Sequence, residues 1–234
     1  GIEYRGNRVE MPQWIEDDNG TLIYEYPTVR RRFSLWSMYL QDEFELNKAL
    51  SFTLGAHYDH YPTFGGVTNP RFAVVYRPFK TSAIKLLYGQ AFKAPNSYEL
   101  YYTDEETQVG NEGLQPERMK SYEVGLEQLL GRTIWGRISF YHNEVSDLIT
   151  QVTNQDSMLQ FQNVGDIKVD GLEVEFKAYT RNGGKGYFNL AYQNARYKDS
   201  GKRLINTPQI TGNLGLSIPI VEDKAYISIE EHYV

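Results

Sequence analysis

The strongest constraint on this chain is a strict alternation of apolar and polar side chains, repeated in stretches of about ten residues. Within residues 51–59, Phe52, Leu54, Ala56 and Tyr58 share one parity, while Ser51, Thr53, Gly55, His57 and Asp59 share the other. Tyr122, Val124 and Leu126 oppose Ser121, Glu123, Gly125 and Glu127 in the same way, and Leu172, Val174, Phe176 and Ala178 oppose Gly171, Glu173, Glu175 and Lys177. Ile84, Leu86 and Tyr88 oppose Lys85 and Gly89, Phe188, Leu190 and Tyr192 oppose Asn189, Ala191 and Gln193, and Leu214, Leu216 and Ile218 oppose Asn213 and Ser217. Side chains of a strand point alternately to its two faces, so each stretch reads as a strand with one apolar and one polar side. Weaker versions cover 36–44, 72–76, 134–140 and 225–233, and a stub covers 2–5. That predicts about eleven strands, no helix of convincing length and an all-β, antiparallel fold.

The same alternation occurs in a soluble sandwich whose polar face meets water. The connections decide the matter, because short and long ones alternate. The short ones are 47–49, 78–82, 131–132, 181–186 and 221–224, and the long ones are 6–32, 61–69, 93–118, 150–162 and 198–207. Tight turns at one end and long loops at the other mark an up-and-down transmembrane β-barrel. Ten residues rising ~3.3 Å each, tilted by about 40°, span roughly 25 Å, the height of an outer-membrane apolar band. An odd strand count cannot close such a barrel antiparallel, and Val234 falls inside a strand, so the expectation is an internal piece of a larger barrel.

Composition agrees and excludes alternatives. Thirty acidic against 24 basic residues leave a net charge of −6, the wrong sign for a nucleic-acid partner. Cysteine is absent, which removes disulfide frameworks and thiolate metal sites. No run approaches the ~18 apolar residues of a spanning helix. Nineteen Tyr and 20 Gly in 234 residues are unusual in a soluble enzyme and ordinary in a barrel with aromatic interfacial girdles.

One segment carries an ordered series of motifs. Gly89-Gln90-Ala91-Phe92-Lys93-Ala94-Pro95, followed by Glu99-Leu100-Tyr101, is similar to the "G-x-A-F-R-A-P…E-L-Y" signature of TonB-dependent outer-membrane receptors, with Lys93 replacing the common Arg. Gly110-Asn111-Glu112-Gly113-Leu114-Gln115-Pro116-Glu117 resembles that family's "G-N-x-x-L-x-P-E", and Ser121-Tyr122-Glu123-Val124-Gly125-Leu126-Glu127 its usual sequel. Asn163-Val164-Gly165 and Gly171-Leu172-Glu173-Val174-Glu175 continue the order. The resemblance implies a 22-stranded barrel with a plugged lumen, of which residues 1–234 form a partial β-barrel of about eleven later strands. The plug domain, the TonB-contacting segment and the final strands are expected outside this sequence. It further implies a receptor in the outer membrane of a Gram-negative bacterium, an active transporter and not an enzyme. Its cargo would be a scarce ligand, most readily a ferric siderophore, with cobalamin, haem or a glycan as alternative cargoes. A barrel hydrolase and a soluble β-rich binding module are the remother readings. Expected partners are outer-membrane lipid and lipopolysaccharide, TonB through the absent plug region, and the small-molecule cargo; no cofactor or resident metal is expected.

Candidate residues follow. Phe92, Ala94, Pro95, Glu99, Leu100, Asn111, Leu114, Pro116, Glu117, Glu123 and Gly125 carry the family motifs and read as scaffold. Pro95 and Pro116 cannot donate to a ladder, so they stop pairing where the chain leaves and re-enters the sheet. Glu117, Glu123 and Glu127 share the polar face, with Arg137 as the expected cross-strand partner. The two longest loops, 6–32 and 93–118, carry the candidate cargo contacts: Trp14, Tyr101 and Tyr102, with Arg30, Arg31 and Arg32 to complement an anionic iron chelate. Tyr24 and Tyr26 read equally well as interfacial aromatics, and the three arginines as contacts for lipopolysaccharide phosphates. His57-x-Asp59 has the one-face spacing of a base and its orienter, yet no serine or threonine is identifiable as its partner, so a lumenal polar network is expected. The stretch from Asn96 to Gly110 contains no His, which disfavours a haem receptor of the usual type.

Overall fold

The computed structural model describes residues 1–16, 19–104, 107–221 and 224–234; for 12–16 and 23–27 it describes the backbone alone. Eleven strands form one antiparallel sheet in nearly sequential order. They are β1 (Ile2–Glu16), β2 (Leu22–Asn47), β3 (Leu50–Tyr61), β4 (Gly65–Phe79), β5 (Ser82–Lys93), β7 (Glu117–Leu130), β8 (Ile134–Ser146), β11 (Ile167–Tyr179), β12 (Lys185–Tyr197), β13 (Ile210–Val221) and β14 (Ala225–Tyr233). Between β5 and β7 lie the short helix α1 (Ser97–Tyr101) and β6 (Gln108–Val109). Between β8 and β11 lies the hairpin β9 (Ile149–Thr153) and β10 (Leu159–Asn163), and β6, β10 and β9 make a separate three-stranded sheet.

The register fixes the two faces. Leu86 pairs with Val124, Val124 with Phe140 and Phe140 with Leu172, all on one side, and Val124 and Phe140 remain 49% and 58% exposed. Their neighbours Lys85, Glu123 and Glu127 point to the other side, where Lys85 meets Glu127 at 2.6 Å and Arg137 meets Glu123 at 2.6 Å. Arg137 lies directly opposite Glu127 yet reaches diagonally to Glu123, because Glu127 is taken by Lys85. Among the described residues no second layer covers the large apolar side chains exposed on this face, which is the character of a lipid-facing surface. This is the wall of a transmembrane barrel, and a soluble sandwich would have covered it. The few buried apolar residues, including Leu35, Val67, Leu100, Leu114 and Ile167, cluster at the end where the strands are joined by longer segments.

The tight turns fall where the alternation places them, and three of the long connections differ from expectation. Residues 6–32 are not a loop: β1 and β2 pair from Ile2↔Met38 to Glu16↔Leu22, so the segment is a hairpin with a turn near Asn19 and Gly20. At ~3.3 Å per residue the 26 residues of β2 reach roughly 85 Å, far beyond the ~25 Å apolar band. Outside that band neither face must be apolar, so the alternation fades while backbone pairing continues. Residues 61–69 also close tightly, since β3 runs to Tyr61 and β4 starts at Gly65, whose φ of 84° suits the turn. Within 150–162 the β9–β10 hairpin replaces an irregular loop.

Candidate ligand-binding face

The segment between β5 and β7 is built as a platform. Pro95 is buried and leaves the sheet, and Asn96 caps α1 in a capping box: Glu99 N donates to Asn96 Oδ1 at 3.0 Å, and Asn96 N donates to Glu99 Oε2 at 2.8 Å. The box reconciles a buried carboxylate with its surroundings, aided by Lys93 Nζ at 3.8 Å. Asn111 N donates to Glu99 O, its Nδ2 donates to Phe161 O at 2.8 Å, and its Oδ1 accepts from Gly113 N at 3.0 Å. Gly110 lies so close to α1 that a Cβ there would sit 2.6 Å from Leu100 O, so only glycine fits. Leu114 and Pro116 are fully buried. Gln115 exchanges backbone contacts with the Asn163 side chain, accepting from Nδ2 and donating to Oδ1, each at 2.8 Å. Glu117 accepts from Ile149 N at 2.9 Å and lies 3.3 Å from Lys93. The motif residues thus tie α1, the β9–β10 hairpin and the strand ends together.

On this platform Tyr98 and Tyr102 stack with ring centroids 4.5 Å apart, and Tyr98 Oη donates to Gln108 Oε1 at 3.2 Å. Tyr102 is therefore engaged within the platform. Tyr101 faces the β1–β2 hairpin, and the Arg31 guanidinium lies 5.3 Å from its ring centroid. Arg31 Nη2 also donates to Glu112 Oε1 at 3.2 Å. Burial first, and then the Glu112 carboxylate, push the Tyr101 phenol above its ordinary range, with Arg31 opposing; the hydroxyl stays protonated and able to donate at neutral pH.

Of the expected contacts, Arg31 and Tyr101 come together. Arg30 and Arg32 have the opposite parity and point outward, Arg30 lying 3.5 Å from Glu10. The expectation that the three arginines act as one group fails for that geometric reason: adjacent strand residues cannot share a face. The arginines also sit within β2 and not at a strand end. Trp14, Tyr24 and Tyr26 have side chains outside the described residues. Glu112, part of a motif read as scaffold, was missed as a partner; it is 81 positions from Arg31.

The polar face holds a second concavity of about 550 Å³, lined by Tyr39, Gln41, His57, Asp59, Asn69 and Arg71 among others. Asp59 is 7% exposed and accepts from Ser37 Oγ at 2.6 Å, and His57 Nε2 lies 3.3 Å from the same carboxylate oxygen. A serine is thus paired here, contrary to the sequence expectation. Both groups meet the carboxylate, however, and a nucleophile would need its hydroxyl on the imidazole. The arrangement is a polar network.

The β-barrel model described as "TonB dependent receptor-like, beta-barrel" matches residues 1–222. The chain belongs to the TonB-dependent receptor family. Members of this family are outer-membrane β-barrels that act as transporters and not enzymes. Solved structures with the same fold include a ferric enterobactin receptor mutant from Pseudomonas aeruginosa, at 21% identity and TM-score 0.77 over 99% of this chain and 37% of that one. The siderophore receptor PirA from Acinetobacter baumannii matches at 17% identity and TM-score 0.78, over 97% of this chain and 38% of that one. The FrpB iron transporter from Neisseria meningitidis matches at 17% identity and TM-score 0.70, over 89% and 34%. At these identities the likeness establishes the fold, and the chain spans little more than a third of each of these receptors.

Proposed function

We propose that this chain is barrel wall and ligand-facing loops of an outer-membrane receptor that takes up a ferric siderophore in a TonB-dependent manner. The plug domain, the TonB contact and the remaining strands belong, on this reading, to sequence outside residues 1–234. The observation that carries the proposal is the junction of Arg31, Tyr101 and Glu112. It joins the longest hairpin to the capped platform at the end away from the tight turns, which is the extracellular side of such a barrel. A cation beside an aromatic ring suits a large anionic chelate: Tyr contributes contact area at low entropic cost, and Arg contributes a fixed fork of donors. The motif residues act as scaffold that holds Tyr101 in place. Family membership and the iron-receptor descriptions of structural neighbours support this cargo class, and the His-free stretch 96–110 argues against haem.

In the full-length receptor, Arg31→Ala and Tyr101→Ala should each weaken ferric-siderophore binding by over ~1 kcal/mol, as anchor residues do. Folding, judged by heat-modifiable mobility, should be unchanged. Wild-type affinity in both variants would remove this junction from the site.

A further inference from the structure

The β1–β2 hairpin rises past its neighbour. β2 pairs with β1 from Met38 out to Leu22, but with β3 only from Asn47 to Trp36. The β3–β4 hairpin turns back between Tyr61 and Gly65, where Tyr61 and Phe64 stack with ring centroids 4.7 Å apart and Phe92 meets both edge-on. Beyond that aromatic cluster the edge of β2 has no strand beside it. The hydrogen bonds at the other end of the hairpin show which backbone groups line this edge. Gly1 N donates to Tyr39 O at 2.8 Å and Tyr39 N donates to Gly1 O at 2.9 Å, so the backbone groups of Tyr39 point toward β1. Backbone direction alternates along a strand, and the register runs without a shift from Met38 to Val29. The N–H and C=O groups of Ser34, Arg32 and Arg30 therefore point away from β1, to the vacant side. Among the described residues their one hydrogen bond is from Arg31 Nη1 to Arg30 O, at 3.4 Å.

The same residues carry charge. Arg8 lies opposite Arg32 on the outward side, and Glu10 lies opposite Arg30. Glu10 is shared by Arg8 and Arg30, and Arg32 forms no ion pair among the described residues. Cations thus outnumber carboxylates along this edge, on a chain whose net charge is −6. A bare edge invites pairing, and charged side chains keep it from pairing indiscriminately. Here the surplus has one sign, so it also selects: an acidic strand is admitted, and the identical edge of a second copy is repelled.

We propose that this edge of β2 takes an extended acidic segment of another polypeptide as an added strand. The segment's backbone bonds to Ser34, Arg32 and Arg30, its carboxylates meet Arg30 and Arg32, and the aromatic cluster at Tyr61 stops it at its inner end. Main-chain bonds give a strand addition its affinity, and alternate side chains give it selectivity. The site lies beside the Arg31–Tyr101–Glu112 junction and uses different groups, so it does not depend on the identity of the cargo.

The test uses the full-length receptor in detergent and a fluorescent octapeptide of alternating Glu and Val. The peptide should bind saturably. Residue-resolved hydrogen exchange should slow at the Arg30, Arg32 and Ser34 amides, while Arg31 and Phe33, whose amides already point to β1, stay unchanged. Ser34→Pro removes one edge donor and no ladder bond to β1, so it should weaken binding about three- to tenfold, with Ser34→Ala at wild-type affinity. Arg32→Gln should weaken it by a smaller factor that shrinks as salt rises. An equally acidic peptide with Pro at alternate positions cannot form the ladder and should bind roughly tenfold more weakly. No saturable binding, protection of the three edge amides in the free receptor, equal affinity for the proline peptide, or unchanged affinity in Ser34→Pro would overturn the proposal. The exchange measurement decides the matter where that variant does not fold. Self-association of the receptor that is lost in Ser34→Pro would also overturn it, by giving the edge to a second copy.

Discussion

Val124→Arg in the full-length barrel is expected to cost about 2–4 kcal/mol of folding free energy, while Thr53→Arg costs little. Val124 points outward between Leu86 and Phe140, six residues from the turn end of β7, which places it roughly 15 Å along the barrel axis and near the middle of the ~25 Å band. A guanidinium there must be dehydrated or must distort the bilayer. Thr53 points to the polar face opposite Glu43, where an added cation finds both water and a carboxylate. Reversible denaturant titration in phospholipid vesicles measures both changes. Equal costs at the two positions would contradict the assignment of faces.

Leu114→Ala is expected to cost about 2–5 kcal/mol, as deletion of a fully buried leucine side chain does. The loss should fall on the platform and not on the barrel. Leu114 lies between Asn111, which ties to Glu99 and Phe161, and Gln115, which ties to Asn163. Amide hydrogen exchange should therefore quicken strongly across 96–116 and the β9–β10 hairpin, while protection in β7 and β8 persists. Unchanged exchange in the platform would show that these motif residues do not act together.

How much of this was legible in the sequence depends on where each residue lies relative to the bilayer. Within the apolar band one face must be apolar and the other need not be, so period-two alternation located the strands of the large sheet, their tight turns and their faces from Leu54, Val124 or Leu190 alone. Beyond the band that asymmetry ends. The strand signal in 6–32 therefore vanishes although the backbone stays paired, and the short strands β9 and β10 vanish with it. The ion pair of Glu123 with Arg137 was legible because cross-strand neighbours on a common face are close in register. Ser37 and Asp59 are likewise directly opposed, on β2 and β3, and their pairing follows the same rule once that hairpin is counted from its turn. The pair Arg31–Glu112 was not legible, because it joins a strand to a loop whose relative placement only the folded chain defines. Parity also separates Arg31 from Arg30 and Arg32, a division available once residues 30–32 are recognised as strand and not as loop.

On the proposed function, the receptor containing this chain moves a ferric siderophore across the outer membrane using energy supplied through TonB. The most direct measurement is uptake of radioiron-labelled ferric siderophores by iron-starved cells that carry the full-length receptor as their sole such transporter, with and without TonB. At least one siderophore should be accumulated, accumulation should stop when TonB is absent, and surface binding should persist. Accumulation equal to that of receptor-free cells for every ferric siderophore tested, or uptake unaffected by loss of TonB, would contradict the account.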